Sequence, residues 1–138
     1  MAGRLVYHAT ETPEPAAVAA LFEAAGLPRP VEDLDRLRRM MEGANVLLTC
    51  WEETGASSRL VGLLRGWTDY AYNGYICDLA VHPDLQRHGI GKELLDRALT
   101  LGAPEVMWIL RAVPGARDYY PKLGWQKVED GWMKPRGA

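Results

Sequence analysis

The spacing of apolar residues along the chain predicts strands that alternate with helices. Runs of alternating or continuous apolar positions predict strands over residues 4–9, 45–52, 60–69, 76–81 and 105–111. Apolar residues three and four positions apart predict helices over 12–25, 30–41, 89–101 and 115–123, and two short runs around Asp130-Gly131 predict a terminal hairpin over 125–134. This order predicts an α/β (α+β) fold, a mixed central sheet with helices on both faces. The strands over 76–81 and 105–111 should run parallel, joined by a right-handed crossover.

The dipeptide Asn73-Gly74 predicts a tight turn between two of these strands. It favours a two-residue type I′ turn, in which both central residues need positive φ. Such a turn fixes the cross-strand pairs as Tyr72 with Tyr75, Asp69 with Asp78, Trp67 with Ala80, and Arg65 with His82. Two neighbouring carboxylates can raise one another's pKa. Asp69 and Asp78 are therefore candidate general bases, although either could equally be a solvated turn residue or an anchor of the hairpin.

Length and composition indicate one ordinary globular domain over residues 1–138. The chain is 48% hydrophobic and 25% charged, and its formal net charge is -2. Neither a nucleic acid nor an anionic membrane surface is expected as a partner, because the chain has no excess of positive charge. No signal peptide is evident at the start, and the apolar run over 16–22 is far short of the roughly 20 residues that span a bilayer. A cytoplasmic location is expected by default.

The cysteines and histidines do not suggest a metal site. Cys50 and Cys77 lie in apolar, strand-like runs and are expected to be buried thiols. His8, His82 and His88 lack the spacing of metal ligands. We therefore expect no metal.

The stretch around Gly89-x-Gly91 joins an apolar strand to an amphipathic helix. The N-terminus of a helix presents backbone N–H groups without intrahelical partners, and these favour an anion. Glycines let a diphosphate approach the backbone, and Arg87 and Lys92 could pair with its oxygens. The alternative is an ordinary turn whose glycines only serve the bend.

Two familiar phosphate motifs are excluded at this joint. A dinucleotide-binding fingerprint would need a third glycine at the position of Leu94. A P-loop would need glycine in place of Gln86, and serine or threonine in place of Glu93. A bound NAD or ATP is therefore not expected.

Two separated motifs resemble the GCN5-related N-acetyltransferase (GNAT) family over nearly the whole chain. The first is Val81-x-Pro83 followed by Gln86-Arg87-x-Gly89-x-Gly91, and the second runs from Ala116 through Tyr120-Pro121-Lys122-Leu123-Gly124-Trp125. Thr68-Asp69 and the stretch from Asn73 to Asp78 resemble in particular the aralkylamine (serotonin-type) branch. The resemblance implies the acyltransferase fold and acetyl-CoA as co-substrate.

The resemblance also implies where acetyl-CoA would bind. Its pyrophosphate would lie against the loop and helix start formed by Gln86, Arg87, His88, Gly89, Ile90, Gly91 and Lys92. Its pantetheine arm would lie along Leu79, Ala80 and Val81 like an added strand, between two strands that splay apart. Tyr120 would stand near the sulfur. The sequence departs from the family pattern at two positions that affect the fine geometry of the site. Val113 replaces a frequent asparagine, and Pro121 directly follows Tyr120.

The chemistry of acetyl transfer needs a proton for the leaving thiolate. A thiol has a pKa of about 8.5 and a tyrosine about 10, so a phenol can give or share a proton with the thiolate. Tyr120 is the candidate for this role, and the alternative is an aromatic residue packed in the core.

Four aromatic residues near the predicted hairpin form a candidate acceptor site: Trp67, Tyr70, Tyr72 and Tyr75. They could line a pocket for an aryl- or alkylamine through stacking and cation–π contacts, or they could be ordinary strand residues. The expected function is therefore transfer of an acetyl group from acetyl-CoA to a primary amine of a small molecule. Acetylation of a protein lysine or N-terminus, or acyl-CoA binding without turnover, remain alternatives. The protein is expected to be a monomer or a homodimer.

Overall fold

The sheet contains five strands whose spatial order is their order along the chain. In the computed structural model, which describes residues 3–137, the strands are β1 (Arg4–His8), β2 (Val46–Thr54), β3 (Ser57–Thr68), β4 (Asn73–Val81) and β5 (Met107–Leu110). The helices are α1 (Pro15–Ala25), α2 (Leu34–Glu42), α3 (Ile90–Leu99) and α4 (Tyr119–Lys122), with 3₁₀ turns at Pro83–Leu85 and Pro114–Ala116. Neighbouring strands are antiparallel except β4 and β5, which are parallel. The predicted mixed sheet and its parallel pair are confirmed.

Helices cover both faces of the sheet, as predicted. On one face α1 and α2 bury Val18, Leu21, Phe22, Leu37 and Met41 against Leu60, Leu63 and Ala80 of the sheet. On the other face α3 buries Ile90, Leu94, Leu95 and Ala98 against Val46, Leu48, Cys50, Val61, Leu64 and Ile76. The central strands β3 and β4 are therefore covered on both sides.

The helix starts differ from the predicted ones by a few residues. α1 begins at Pro15 with Glu14 as its N-cap, so Thr12 and Pro13 precede the helix. α2 begins only at Leu34, because the Asp33 side chain caps it by accepting the Arg36 N–H at 3.0 Å. These shifts change no packing face.

The C-terminal prediction of a hairpin over 125–134 is wrong, since none of these residues forms a strand. Trp125 packs against the cluster beneath α3, whereas Trp132 is 97% exposed. The two flanks therefore share no buried face, which a hairpin would need. The predicted helix over 115–123 is likewise divided into a 3₁₀ turn and the short α4.

The turn between β3 and β4 contradicts the predicted Asn73-Gly74 hairpin. One carboxylate oxygen of Asp69 accepts the N–H groups of Ala71, Tyr72 and Asn73 at 2.7 to 3.1 Å, so the chain turns over 69–72. The side chain thus organises a longer turn, and β4 already starts at Asn73. The observed pairs are Thr68 with Gly74, Trp67 with Tyr75, and Arg65 with Asp78. All four predicted pairs are wrong, and the two aspartates are not neighbours across the ladder.

A β-bulge interrupts the pairing of β3 with β4 at Cys77. Gly66 pairs with Ile76 and Arg65 pairs with Asp78, so Cys77 is the extra residue. A Cβ at Gly66 would overlap the carbonyl oxygen of Tyr75 and lie 3.1 Å from the Ile76 Cα. The bulge therefore requires glycine at this position, and it places Asp78 on the sheet face that α1 and α2 cover.

Gly66→Ala is expected to lower the free energy of unfolding by about 2–3 kcal/mol, because the added methyl group meets backbone that has no room to move. Urea denaturation followed by circular dichroism measures the change as a lower midpoint. Gly131→Ala is the matched control, since a Cβ there meets nothing within 4 Å. Equal midpoints for the two variants would show that the bulge tolerates a side chain.

Candidate functional site

Strand β4 has an open edge beyond its pairing with β5. The parallel pairs end at Ile76 with Leu110, while β4 continues to Val81. The His82 N–H donates to the Val61 carbonyl at 2.8 Å, so the N–H and C=O of Val81 point away from β3. By alternation the same holds for Leu79. This edge can pair with an extended ligand as an added strand would.

The side chains of this segment lie on both faces of the sheet. Leu79 and Val81 pack against the cluster beneath α3, and Ala80 is buried on the opposite face. All three residues singled out for the pantetheine arm therefore belong to the segment that β5 leaves unpaired.

The loop after β4 delivers the chain to the N-terminus of α3. Gly89 is the N-cap with φ +77°, and Arg87 also has positive φ, +74°. No side chain caps the helix, and the first intrahelical bond is from the Glu93 N–H to the Gly89 carbonyl at 2.9 Å. The N–H groups of Ile90, Gly91 and Lys92 precede that bond, so they remain available for an anion.

The side chains around this helix start differ in their partners. The Lys92 ammonium donates to Asp96 at 2.8 Å, and this bond raises its pKa. His88 lies with Nδ1 3.1 Å from the Leu85 carbonyl. Arg87 is exposed, as is Gln86, and within residues 3–137 no carboxylate lies within 4.0 Å of the Arg87 guanidinium. Arg87 is therefore better placed than Lys92 to contact a phosphate.

Two adjacent tyrosines of α4 pack beside the same region. The Tyr119 hydroxyl lies over Gly91, 3.3 Å from where a Cβ would be. Tyr120 packs edge to face with Tyr119 and Trp125, at ring-centroid distances of 5.2 and 6.0 Å, and it packs against the core cluster beneath α3, as Leu79 and Val81 also do. Burial, with a smaller effect of Tyr119, raises the pKa of Tyr120. Sequence reasoning missed Tyr119, whose only signal was its position beside Tyr120.

Asp78 lies in a buried ion triad on the face of the sheet that α1 and α2 cover. Its Oδ1 accepts from Arg29 Nε at 2.8 Å, and its Oδ2 accepts from Arg65 Nε. The Asp78 side chain has no exposed surface. For Asp78 to accept a proton, an amine or a water would have to enter this buried space between the two guanidiniums.

Asp69 lies in the turn between β3 and β4, outside that triad, and its side chain stabilises the turn. Its hydrogen bonds from the backbone of Tyr72, Ala71 and Asn73 lower its pKa, and it lies on the surface. A carboxyl group with a lowered pKa is a weak base. The structure therefore does not bring together the two carboxylates that the sequence paired.

Two of the four aromatic candidates lie together. Trp67 and Tyr75 stack with centroids 6.4 Å apart, and the Arg65 guanidinium lies 5.1 Å from the Trp67 ring centroid. Tyr70 and Tyr72 belong to the turn and are 50% and 71% exposed. The predicted four-residue aromatic pocket is thus reduced to one stacked pair beside an arginine.

A groove of about 450 Å³ opens on the same face, between the α1–α2 loop, α2, β3 and β4. Residues that line it include Arg29, Arg36, Met40, Arg65, Cys77 and Arg136. Cys77 is only half-buried, which corrects the predicted buried thiol, whereas Cys50 is fully buried as predicted. Sequence reasoning missed this arginine groove. Arg65, a charge inside an apolar strand, and Arg36, on the polar face of the second predicted helix, were the available signals.

Within residues 3–137 no three side chains of His, Cys, Asp or Glu converge as a metal site would require. In the same range no helix combines the length and apolar character needed to cross a bilayer.

Comparison with known proteins identifies the family. The profile of the Acetyltransferase (GNAT) family matches residues 8–125, so the chain belongs to this family. The chain is 31% identical over 100 residues to the uncharacterized N-acetyltransferase ycf52 of Pyropia yezoensis, covering 71% of this chain and 58% of that protein. It is 34% identical over 119 residues to the chloroplastic serotonin N-acetyltransferase 2 of Oryza sativa subsp. japonica, covering 83% of this chain and 57% of that protein.

Solved structures agree on the fold. A probable acetyltransferase of Staphylococcus aureus, SA2161, superposes with a TM-score of 0.80 at 20% identity, covering 97% of this chain and 100% of that one. The resemblance noted in the sequence is confirmed. The chain spans little more than half the length of the curated relatives described above.

Gly91→Ala is expected to abolish stabilisation by acetyl-CoA without destabilising the ligand-free protein. The new methyl group would lie 3.3 Å from the Tyr119 hydroxyl and 3.7 Å from Val81 Cγ2, in the space above the helix start. Alanine favours a helix over glycine by up to about 1 kcal/mol, and this gain offsets the small shift that the new methyl group requires of the Tyr119 hydroxyl. Thermal unfolding with and without acetyl-CoA measures both effects, with Gly131→Ala as control. A full ligand-induced rise in Tm for Gly91→Ala would contradict the assignment.

Proposed function

We propose that the protein transfers the acetyl group of acetyl-CoA to a primary amine of a small molecule. The observation that carries this proposal is the open edge of β4, which leads directly to an uncapped helix N-terminus. An extended arm that ends in a diphosphate matches both features at once. The family membership of the chain supports the same donor.

The residues present fit acetyl-CoA. The main-chain groups of Leu79 and Val81 would pair with the amides of the pantetheine arm, and Ala80 between them keeps the strand buried on its other face. The N–H groups of Ile90, Gly91 and Lys92 would hold the diphosphate, with Arg87 as an additional cation. Gln86, His88 and Gly89 shape the turn that presents them.

The thioester of acetyl-CoA supplies an activated acetyl group, which an amine takes while the CoA thiol leaves. Tyr120 would act at this leaving sulfur. Because burial raises the pKa of Tyr120 beyond that of an ordinary phenol, the side chain keeps its proton at neutral pH and donates a hydrogen bond to the sulfur as negative charge develops there. Tyr119, whose hydroxyl lies over Gly91, belongs to the binding of the donor.

The amine must lose a proton before it attacks. Asp78 is not assigned as the base for this proton, because its carboxylate is already bound by two guanidiniums. Positive groups near an ammonium lower its pKa and so favour the neutral, nucleophilic form. The arginine groove next to Cys77 provides such surroundings. We therefore assign deprotonation to the electrostatics of the groove, with water carrying the proton away, rather than to a carboxylate.

Tyr120→Phe is expected to lower kcat about 100-fold, since general acid catalysis contributes roughly that much or more. The KM for acetyl-CoA and the rise in Tm that it causes should be unchanged, because the lost hydroxyl acts only on the leaving sulfur. At about a hundredfold excess over Kd that stabilisation is about 2.7 kcal/mol. Thiol release with an amine panel measures turnover. Tyr119→Phe is the matched control. It should raise the KM for acetyl-CoA and leave kcat unchanged.

The pH profile provides a second readout for the same variant. The protonated phenol is the active form and burial raises its pKa, so the rate of the wild-type protein should fall only at strongly alkaline pH, where the phenol ionises. Tyr120→Phe should lack this alkaline limb. Normal turnover of Tyr120→Phe would assign the proton donor elsewhere. Thiol release with none of the amines, despite binding of acetyl-CoA, would leave a binding module instead of an enzyme.

A further inference from the structure

We infer that the acceptor amine carries an anionic group, a carboxylate or a phosphate, which binds in the arginine groove. This inference rests on the proposed acetyl transfer and specifies its second substrate. The groove takes its charge from Arg29, Arg36, Arg65 and Arg136. Its volume, about 450 Å³, is that of a small-molecule site.

The floor of the groove holds more positive than negative charge. Arg29 and Arg65 share the single carboxylate of Asp78. Arg65 is 5% exposed and the Arg29 side chain 20%, so one unit of positive charge is held largely away from water without a protein counter-ion in this triad. A buried charge without a partner is costly. An anionic ligand group would offset this cost.

Hydrogen bonds fix these two guanidiniums in place. Arg29 donates from Nη1 to the Pro28 carbonyl at 2.8 Å and from Nη2 to the Cys77 carbonyl at 3.0 Å. Arg65 donates from Nη2 to the Cys77 sulfur at 3.3 Å. Their positive charge is therefore oriented before any ligand arrives, which reduces the entropy lost on binding.

The other two arginines, Arg36 and Arg136, are exposed at the rim of the groove. Within residues 3–137 no carboxylate lies within 4.0 Å of the Arg36 or Arg136 guanidinium. The neighbouring arginines of α2, Arg38 and Arg39, are by contrast both bound to Asp35. Arg36 can thus contribute a bidentate pair to a carboxylate or phosphate, for which its planar fork is suited.

The groove lies next to the place where the acetyl group would arrive. Cys77 lines the groove, and it is the bulge residue directly after Ile76, where β4 leaves β5. A molecule whose anionic end binds the arginines can therefore extend its amine toward the open edge of β4.

The same geometry disfavours an acceptor that is only a cation. The Arg65 guanidinium already lies 5.1 Å from the Trp67 ring centroid, so a cationic amine that stacked on this ring would meet a like charge. Attraction must then come from a second, negative group on the acceptor.

Matched acceptor pairs test this inference by thiol release at low salt. The pairs are tryptamine with tryptophan, tyramine with tyrosine, and glucosamine with glucosamine 6-phosphate, so that each pair differs by one anionic group. The anionic member of at least one pair should have a kcat/KM roughly 10- to 100-fold higher, as expected for charge-assisted hydrogen bonds. The carboxylate and phosphate pairs show which anion the groove prefers. Added salt should reduce the ratio.

Two arginines of α2 distinguish binding in the groove from a general effect of positive charge. Arg36→Gln should reduce the ratio of kcat/KM between the anionic and the uncharged member of a pair toward 1. Arg36→Lys should restore part of this ratio. Arg39→Gln removes the same charge from α2 at a residue bound to Asp35 outside the groove, and it should leave the ratio unchanged. An intact rise in Tm with acetyl-CoA shows that each variant is folded.

Each outcome decides the inference. Equal or better use of the uncharged-tail amines, or equal effects of Arg36→Gln and Arg39→Gln, would overturn it while leaving acetyl transfer in place. Thiol release with none of the six amines, although acetyl-CoA still raises Tm, would instead count against the proposed transfer and remove this inference with it.

Discussion

The arrangement of this site depends on strand β4 being longer than its parallel neighbour. A strand edge inside a fold leaves N–H and C=O groups without partners, and a protein keeps such an edge only where something pairs with it or water reaches it. Here β5 ends its pairing at Ile76, and the main chain of Leu79 and Val81 faces the gap. The next turn of chain brings the uncapped start of α3 to the end of the same edge. Backbone geometry alone thus places an open strand edge beside the uncapped N-terminus of a helix.

The bulge at Cys77 lies between the open edge of β4 and the arginine groove. Gly66 permits the bulge, and the extra residue directs Asp78 toward Arg29 and Arg65. Cys77 lines this positively charged groove and directly follows Ile76, the last residue of β4 that pairs with β5. Under the proposed function, a nucleophile bound in the groove and an acetyl group at the open edge of β4 would approach each other there. Trp67 and Tyr75 stack on each other near this groove, and they do not surround a binding pocket with the other two tyrosines.

Local features of the sequence predicted β4, the loop after it and α3 well, because these form one continuous stretch of chain. The parallel strands and the helix start at Gly89 follow from periodicity and from glycine placement. The arginine groove was not predictable in this way. Arg29 reaches Asp78 from a loop 49 residues away, and no periodic pattern marks it. The Asn73-Gly74 turn was wrong because the Asp69 side chain binds three N–H groups and so stabilises a longer turn.

The most direct measurement of the central claim is the change in backbone amide NMR shifts when acetyl-CoA is added to the ¹⁵N-labelled protein. The largest changes should fall on Leu79 and Val81 and on Ile90, Gly91 and Lys92, because these are the main-chain groups that would pair with the arm and the diphosphate. The turn around Gly55, between β2 and β3, should be unaffected. Shifts that leave the β4 edge and the start of α3 unchanged, at a ligand concentration that saturates binding, would contradict the account.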